Sequence, residues 1–171
     1  MKTPGAIIAL IDVPQPAQAI ADASFSLLLE EIQDPGNLGS ILRSAAAAGC
    51  DTAFLSPECA DAWSPKVLRA AMGGHFALRI CERQDLQAVA NSFHGNLLAT
   101  SLHAKRSLYD CDLRGKIAFM IGNEGAGLSA KLLKMATQQI AIPMPGKIES
   151  LNAAAAAAIC LFEAVRQREA L

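Results

Sequence analysis

The chain has 171 residues, of which 52% are hydrophobic and 18% are charged. This balance excludes an intrinsically disordered protein, because disordered chains bury too little apolar surface to offset the entropy of ordering. Its 15 Lys and Arg residues against 16 Asp and Glu residues give a net charge of −1, which excludes attraction of the whole molecule to a polyanion.

Short apolar runs alternate with helical patterns along the chain. Strands are predicted at residues 6–11, 25–32, 52–56, 97–102, 117–122 and 139–142, and helices at residues 38–48, 65–72, 86–92, 129–135 and 151–169. The segment 14–23 fits either a short surface helix or a connector. Because most of these strands are apolar throughout, the sequence predicts an α/β fold with a mainly parallel sheet flanked by helices.

Cysteine usage and the apolar runs indicate a soluble, cytoplasmic protein. The five cysteines are an odd number without a CxxC pair, so buried thiols are favoured over a zinc knuckle or a disulfide framework. No N-terminal stretch has the pattern of a signal peptide, and the longest apolar run, residues 153–162, is about half a membrane span. We therefore expect neither a membrane partner nor a metal site.

Ligands of open α/β sheets bind beyond the carboxyl ends of the strands. Functional residues are therefore expected in the loops that follow the strands. The first loop, residues 33–43, begins with a tight turn, and Asn37 is predicted to cap the helix that follows. Arg43 lies off the apolar stripe of that helix. Alone, this loop is better explained as a capped helix with a solvated arginine.

Two further loops carry polar residues. The second loop, residues 122–129, places Glu124 among three glycines, where a carboxylate is suited to accept hydrogen bonds from a ligand or an arginine. Its spacing matches neither the Walker motif nor the Rossmann fingerprint. The third loop, residues 142–152, contains two prolines and Ser150, which is predicted to cap the last helix. By itself it fits a rigid loop before a core helix.

Taken together, DPGNLGSILRSAAAAG, IGNEGAGLS and IPMPGKIESLNAAAAAA, in this order, resemble the three motifs of the SpoU/TrmH family of RNA 2′-O-ribose methyltransferases in the SPOUT superfamily. The resemblance covers residues 6–171 and implies one methyltransferase domain over residues 1–171, with a deep trefoil knot in its C-terminal part. It implies a homodimer packed through the alanine-lined helices, and rRNA or tRNA as substrate. Residues 1–24 would be an N-terminal strand and a connector, the remnant of a linker to an RNA-binding domain.

The resemblance also implies S-adenosylmethionine as the methyl donor, S-adenosylhomocysteine as the product, and no metal. By motif position, the cofactor contacts are Thr100, Gly122, Ile142, Met144 and Leu151. The polar residues that match the family's catalytic positions are Asn37, Arg43, Glu124, Ser150 and Asn152. Because a guanidinium keeps its proton, Arg43 is expected to bind phosphate and stabilise developing alkoxide charge, with Glu124 orienting it.

Two other functions remain open. One is a catalytically silent RNA-binding or assembly protein with the same fold, and the presence of all five polar residues argues against it. The other is a Rossmann-like nucleotide enzyme, which would bind NAD instead of S-adenosylmethionine.

A few residues outside the motifs are relevant to RNA. His103 is the best additional site candidate, and Lys66 and Arg69 are among the basic residues that could face RNA. Trp63 and Tyr109 are isolated aromatics, so they predict no base-stacking platform.

Overall fold

The computed structural model describes residues 12–13 and 23–169, which form a sheet with helices on both faces. The strands are β1 (Phe25–Leu29), β2 (Thr52–Leu55), β3 (Arg79–Cys81), β4 (Asn96–Thr100), β5 (Arg106–Ser107), β6 (Ile117–Ile121) and β7 (Gln138–Ala141). The helices are α1 (Pro35–Ala47), α2 (Pro65–Ala71), α3 (Leu86–Ser92), α4 (Ala130–Met135) and α5 (Ala153–Glu169), with 3₁₀ turns at Gly74–Phe76 and Leu108–Asp110.

The seven described strands form one sheet in the order β3-β2-β1-β6-β4-β7-β5, and every pairing is parallel. The predicted α/β class with a parallel sheet is therefore confirmed. β1, β6 and β4 occupy the centre, so the chain crosses repeatedly from one half of the sheet to the other.

Side chains of the central strands alternate between two apolar layers. Leu27 and Leu29 pack into the cluster that contains α1, α2 and α5, whereas Leu28 packs into the cluster of α3 and α4. All five residues of β1 are buried. This double coverage explains why the sequence shows continuous apolar runs in place of polar alternation.

The structure differs from the predicted elements at several points. β3 and β5 were not predicted, because three- and two-residue strands leave no apolar run to recognise. β1 ends at Leu29 and not at residue 32, since Glu31 adopts a left-handed φ of 54°. The predicted strand at residues 6–11 and most of the segment 14–23 lie outside the described residues.

The C-terminal helix α5 is fastened to the chain segment before β6. Glu163, only 7% exposed, accepts hydrogen bonds from Arg166 and from Gln167 Nε2, each at 2.8 Å. Gln167 in turn accepts the N–H of residue 113 and donates to the carbonyl of residue 111. Arg168 donates to the carbonyls of residues 113 and 115. The end of α5 is thus held through side chains that reach backbone groups.

The described part of the chain contains no disulfide bond, no membrane-spanning helix and no metal-binding cluster. Burial raises the pKa of the Cys160 thiol to about 12, so this side chain stays protonated at neutral pH. All five cysteines are free. Within residues 12–13 and 23–169, no helix is long and apolar enough to span a membrane, and no cluster of His, Cys, Asp and Glu could hold a metal ion.

Asp51 joins the starts of β1 and β2. Its Oδ2 accepts the N–H groups of Ser24 and Phe25 at 2.7 and 2.9 Å, and its Oδ1 accepts the hydroxyl of Ser26 at 2.8 Å. Partial burial opposes ionisation, but these hydrogen bonds outweigh it and lower the pKa of Asp51 from the usual 3.8.

We expect the substitution Asp51→Asn to lower the free energy of unfolding at neutral pH by about 1–2 kcal/mol, since the half-buried carboxylate loses charge-assisted hydrogen bonds. The native pKa is depressed, so this stabilisation is complete above the unfolded-state pKa and is lost as pH falls through the native value. Urea unfolding followed by circular dichroism at neutral pH and at about pH 3 measures the difference between the two chains.

The matched control is Asp110→Asn, at an exposed position in the turn after β5. We expect it to leave the unfolding free energy unchanged at both pH values. A deficit in Asp51→Asn that stays the same at acid and neutral pH would contradict the assignment.

Candidate active site

Three loops meet at one edge of the sheet. The first loop (residues 33–43) follows β1, the second (residues 122–129) follows β6, and the third (residues 142–152) follows β7. β1 and β6 are neighbours, and only β4 separates β6 from β7. Because all these strands are parallel, their carboxyl ends lie at the same edge and bring the loops together.

A chain of side-chain hydrogen bonds links the three loops. Asn152 Nδ2 in the third loop donates to Asn37 Oδ1 in the first loop at 2.8 Å. Asn37 Nδ2 donates to Glu124 Oε1 in the second loop at 3.0 Å. The Asn37 amide therefore connects the second and third loops.

The helix caps are not the residues predicted from sequence. Asp34 caps α1, with its Oδ1 accepting the N–H of Asn37 at 2.7 Å, because the helix starts at Pro35. Asn152 caps α5, with its Oδ1 accepting the N–H of Ala154 at 2.8 Å. The predictions of Asn37 and Ser150 as caps were wrong. Since Asp34 does the capping, the Asn37 side chain is free to bridge the loops.

Glu124 is held as an anion. Partial burial opposes its ionisation, but hydrogen bonds from Asn37 Nδ2 and from the backbone outweigh this and lower the pKa of Glu124 from the usual 4.5. The backbone donors include the N–H of Asp34, at 3.4 Å from Oε1. In the part of the chain that the structure describes, Arg43 is not a partner of this carboxylate. The expected orientation of Arg43 by Glu124 therefore does not occur within this chain.

Asn123 shapes the second loop and was missed by sequence reasoning. Its Oδ1 accepts the N–H groups of Gly125 and Ala126 at 2.9 and 3.0 Å, and its Nδ2 donates to the carbonyl of Glu31 at 3.0 Å. These bonds close a tight turn and attach it to the end of β1. The signal in the sequence was an Asn two residues before a Gly, which is typical of an Asx turn.

Gly122 lets the second loop fold back on itself. A Cβ atom at this position would lie 2.2 Å from the carbonyl carbon of Gly127 and 2.3 Å from the nitrogen of Leu128. Asn123 and Gly127 exchange backbone hydrogen bonds of 3.1 and 2.9 Å. The turn that carries Glu124 therefore requires the absence of a side chain at Gly122.

A cavity of about 330 Å³ lies between the second and third loops. Its lining includes all five residues predicted to contact a cofactor, namely Thr100, Gly122, Ile142, Met144 and Leu151. Glu124, Ser150 and His103 also line it, together with apolar groups such as Leu128 and Ala156. The Thr100 hydroxyl donates to the carbonyl of Met120 at 3.0 Å, so it is committed to the sheet.

Asn37, Asn152 and Arg43 do not line this cavity. Asn37 and Asn152 are connected to it through Glu124, whereas Arg43 is not. It is exposed on α1, six residues beyond Asn37, which corresponds to about 9 Å along the helix axis. Among the described residues it has neither a hydrogen-bond nor an ion-pair partner. The chain therefore gathers Asn37, Glu124, Ser150 and Asn152 at the cavity edge and leaves Arg43 on a separate surface.

Comparisons with known proteins place the chain among related sequences. Residues 24–162 match the SpoU rRNA Methylase family. The chain is 42% identical over 149 residues to an uncharacterized tRNA/rRNA methyltransferase of Synechocystis sp., covering 85% of this chain and 54% of that protein. It is 36% identical over 167 residues to the 23S rRNA (guanosine(2553)-2′-O)-methyltransferase RlmP of Bacillus subtilis, covering 94% of this chain and 65% of that protein.

A solved structure shows the same fold. The AdoMet-bound rRNA methyltransferase from Sinorhizobium meliloti superposes with a TM-score of 0.82 at 33% identity, covering 89% of this chain and 61% of that one. The chain thus spans about half to two thirds of the length of the relatives described here.

The hydrogen-bond chain makes a testable electrostatic prediction. We expect Asn37→Ala to raise the pKa of Glu124 toward 4.5, because the carboxylate loses the side-chain donor that lowers it. NMR titration of the glutamate carboxyl carbons measures this value. Ser40→Ala, at an exposed position of the same helix, should leave it unchanged, and an unchanged pKa in Asn37→Ala would refute the bridging role.

Proposed function

The chain belongs to the SpoU rRNA methylase family, and from that premise we propose that it transfers the methyl group of S-adenosylmethionine to the ribose 2′-hydroxyl of a nucleotide in rRNA or tRNA. The observation that carries this proposal is the hydrogen-bond chain Asn152–Asn37–Glu124 at the edge of the cavity. It fixes polar groups from three loops beside a space of about 330 Å³.

The cavity fits the proposed methyl donor. Its volume lies within the range of about 300–1,000 Å³ typical of small-molecule sites, and its lining is mostly apolar with a few polar groups. Thr100, Gly122, Ile142, Met144 and Leu151 would hold the donor. When bound, S-adenosylmethionine supplies an electrophilic methyl group on a sulfonium centre. S-adenosylhomocysteine is the corresponding product, and no metal is needed.

The polar residues have distinct proposed roles. A ribose hydroxyl is a weak nucleophile at neutral pH, so the protein must position it and stabilise the charge that develops on its oxygen. Arg43 is suited to bind an adjacent phosphate and that oxygen, because a guanidinium stays protonated. The ionised Glu124, held by Asn37, and the side chains of Ser150 and Asn152 would orient substrate groups at the cavity edge.

A homodimer would bring Arg43 to the cavity. Within one chain Arg43 does not line the cavity. Leu151, just before α5, and Ala155 and Phe162 on α5 are exposed and, with the half-buried Ile159, form an apolar stripe at helical spacing. Phe162 is 48% exposed. We propose that this stripe packs against a second copy and that Arg43 acts on the cavity of the partner.

We further propose that the C-terminal part forms the trefoil knot typical of the family. The return of the chain from β7 to pack α5 on α1 and to bind residues 111–115 supports this topology. A cytoplasmic location is proposed because the bacterial relatives act on rRNA. Residues 1–24 are proposed to be a strand and connector that precede the matched domain.

The alternative is a catalytically silent RNA-binding or assembly protein. The five polar residues and the cavity favour an enzyme, since binding RNA alone does not call for either. Incubation of the protein with labelled S-adenosylmethionine and separate rRNA and tRNA pools, followed by mapping of nuclease-resistant 2′-O-methyl positions, distinguishes the two functions. RNA binding without labelled product would establish the silent alternative.

We expect Gly122→Ala to abolish binding of S-adenosylmethionine, because the added Cβ atom overlaps the backbone of Gly127 and must displace the cavity wall. Isothermal titration calorimetry measures the loss. The control is Gly146→Ala in the third loop, where a Cβ atom would meet no atom within 4 Å. Equal affinity of Gly122→Ala and the unmodified protein would exclude this cavity as the binding site.

We expect Arg43→Ala to lower methyl transfer at least about 100-fold, the order of magnitude for removing one donor to developing oxyanion charge. Cofactor affinity should stay unchanged, because Arg43 does not line the cavity. Single-turnover transfer to RNA and calorimetry measure the two quantities. Full turnover in this variant would overturn the assigned role.

Mixing the two inactive variants tests the dimer. A mixed dimer of Arg43→Ala and Gly122→Ala chains contains one intact cavity and one intact Arg43, on different chains. Activity is expected to return on mixing if Arg43 acts on the cavity of the partner. If the mixture stays inactive while the two chains associate, Arg43 does not act across the interface.

A further inference from the structure

We propose that the surface formed by Lys66, Leu68, Arg69, Met72 and Phe76, called here the α2 face, binds unpaired RNA with a base stacked on the Phe76 ring. This inference rests on the proposed RNA-modifying function and adds to it a binding surface outside the cavity. Sequence reasoning considered Lys66 and Arg69 but overlooked Phe76.

Phe76 is presented to solvent by a firmly anchored turn. Its side chain is 95% exposed, whereas the preceding His75 is only 8% exposed. The His75 ring nitrogen Nε2 lies 2.7 Å from the carbonyl of Ala62, and the ring packs against Trp63 with a centroid distance of 4.9 Å. The anchored His75 and the exposed Phe76 are adjacent, so the phenyl ring is held outward on a fixed base.

The turn Gly74–Phe76 packs directly against α1, the helix that carries Arg43. A Cβ atom at Gly74 would lie 3.2 Å from the carbonyl oxygen of Leu42 and 3.3 Å from Arg43 Cα. Gly73 has a φ of 90°, which allows the chain to turn sharply after α2. The turn that carries Phe76 is therefore packed on α1 beside the backbone of Arg43, the residue proposed to act on RNA.

Apolar and basic groups are combined on the α2 face. Leu68 is 41% exposed and Met72 is 69% exposed, so α2 and its C-terminal cap present two further apolar side chains at the surface. Lys66 and Arg69 are exposed on the same short helix. The segment 62–81 has no acidic residue, and neither has the segment 35–50 that contains Arg43.

This local charge contrasts with the net charge of −1 for the whole chain. The α2 face, with Lys66 and Arg69, is thus a small basic region on a protein without overall attraction to nucleic acid, and Asp61 and Glu82 lie just outside it. A phosphate backbone is the complementary partner for such a region.

The combination favours single-stranded RNA over other partners. Exposed aromatic rings that stack on bases, together with cations that bind the backbone, are the usual means of binding unpaired strands. A duplex keeps its bases stacked inside and offers none to Phe76. A second copy of the chain is disfavoured, because a two-fold interface would bring Lys66 and Arg69 of both copies together.

The test measures binding of the full chain to a short fluorescein-labelled oligouridylate by fluorescence anisotropy at several salt concentrations. We expect Phe76→Ala to weaken binding about tenfold without changing the salt dependence, and Phe76→Trp to restore it. Arg69→Ala should weaken binding and reduce the salt slope by about 0.7, the value for one phosphate contact on a single strand.

The control is Tyr109→Ala, which removes an aromatic ring that is 53% exposed at the opposite edge of the sheet, after β5. It should bind as the unmodified protein does. Because Phe76 is nearly fully exposed, Phe76→Ala should also keep the thermal unfolding midpoint of the unmodified protein, measured by circular dichroism.

Three results would overturn the α2 face as an RNA site. The first is an unchanged affinity of Phe76→Ala for the oligouridylate. The second is an equal loss of affinity of Phe76→Ala for an RNA duplex of the same length. The third is a shift of Phe76→Ala from dimer to monomer, measured by size-exclusion chromatography with light scattering. The proposed function is measured separately by labelled methyl transfer. Phe76-dependent binding without transfer would refute that function alone, and normal transfer with Phe76-independent binding would refute the α2 face alone.

Discussion

The arrangement of the site depends on the amide of Asn37, which contacts both the second and the third loop. Its oxygen accepts from Asn152 and its nitrogen donates to Glu124, so a donor and an acceptor are both needed on one short side chain. An aspartate would place a second anion against Glu124, and an aliphatic side chain would remove the hydrogen bonds to both Glu124 and Asn152. The loops are thus held by an interaction that few residue types can make.

The availability of this amide depends on the start of α1. Asp34 and Pro35 begin the helix, so the orphan N–H groups at its N-terminus are served by Asp34. The N–H of Asp34 also lies 3.4 Å from Glu124. Asp34 therefore both starts a helix and contributes to the electrostatics of the neighbouring loop.

Most of the fold follows from the sequence, whereas the details of the site do not. The apolar runs of β1, β2, β4 and β6 are long enough to identify, because these central strands are buried on both faces. β7 has only Ile140 buried. Asn37 and Ser150 satisfy the same local capping rule as Asp34 and Asn152, and only the folded structure decides which residue is used. The bond between Asn37 and Glu124 joins residues 87 positions apart, and no local pattern contains it. The isolation of Arg43 from the cavity likewise depends on tertiary structure.

The fastening of α5 has a consequence for the order of folding. Its partners are backbone groups at residues 111, 113 and 115, more than fifty positions earlier in the chain. Such contacts form only after the intervening segment has been arranged, and the loop-closure entropy must be overcome before they contribute. We therefore expect the docking of the last helix to be a late event in folding. Because Asn152, the cap of α5, is the residue that bonds to Asn37, we expect the polar network at the cavity edge to be completed only at that stage.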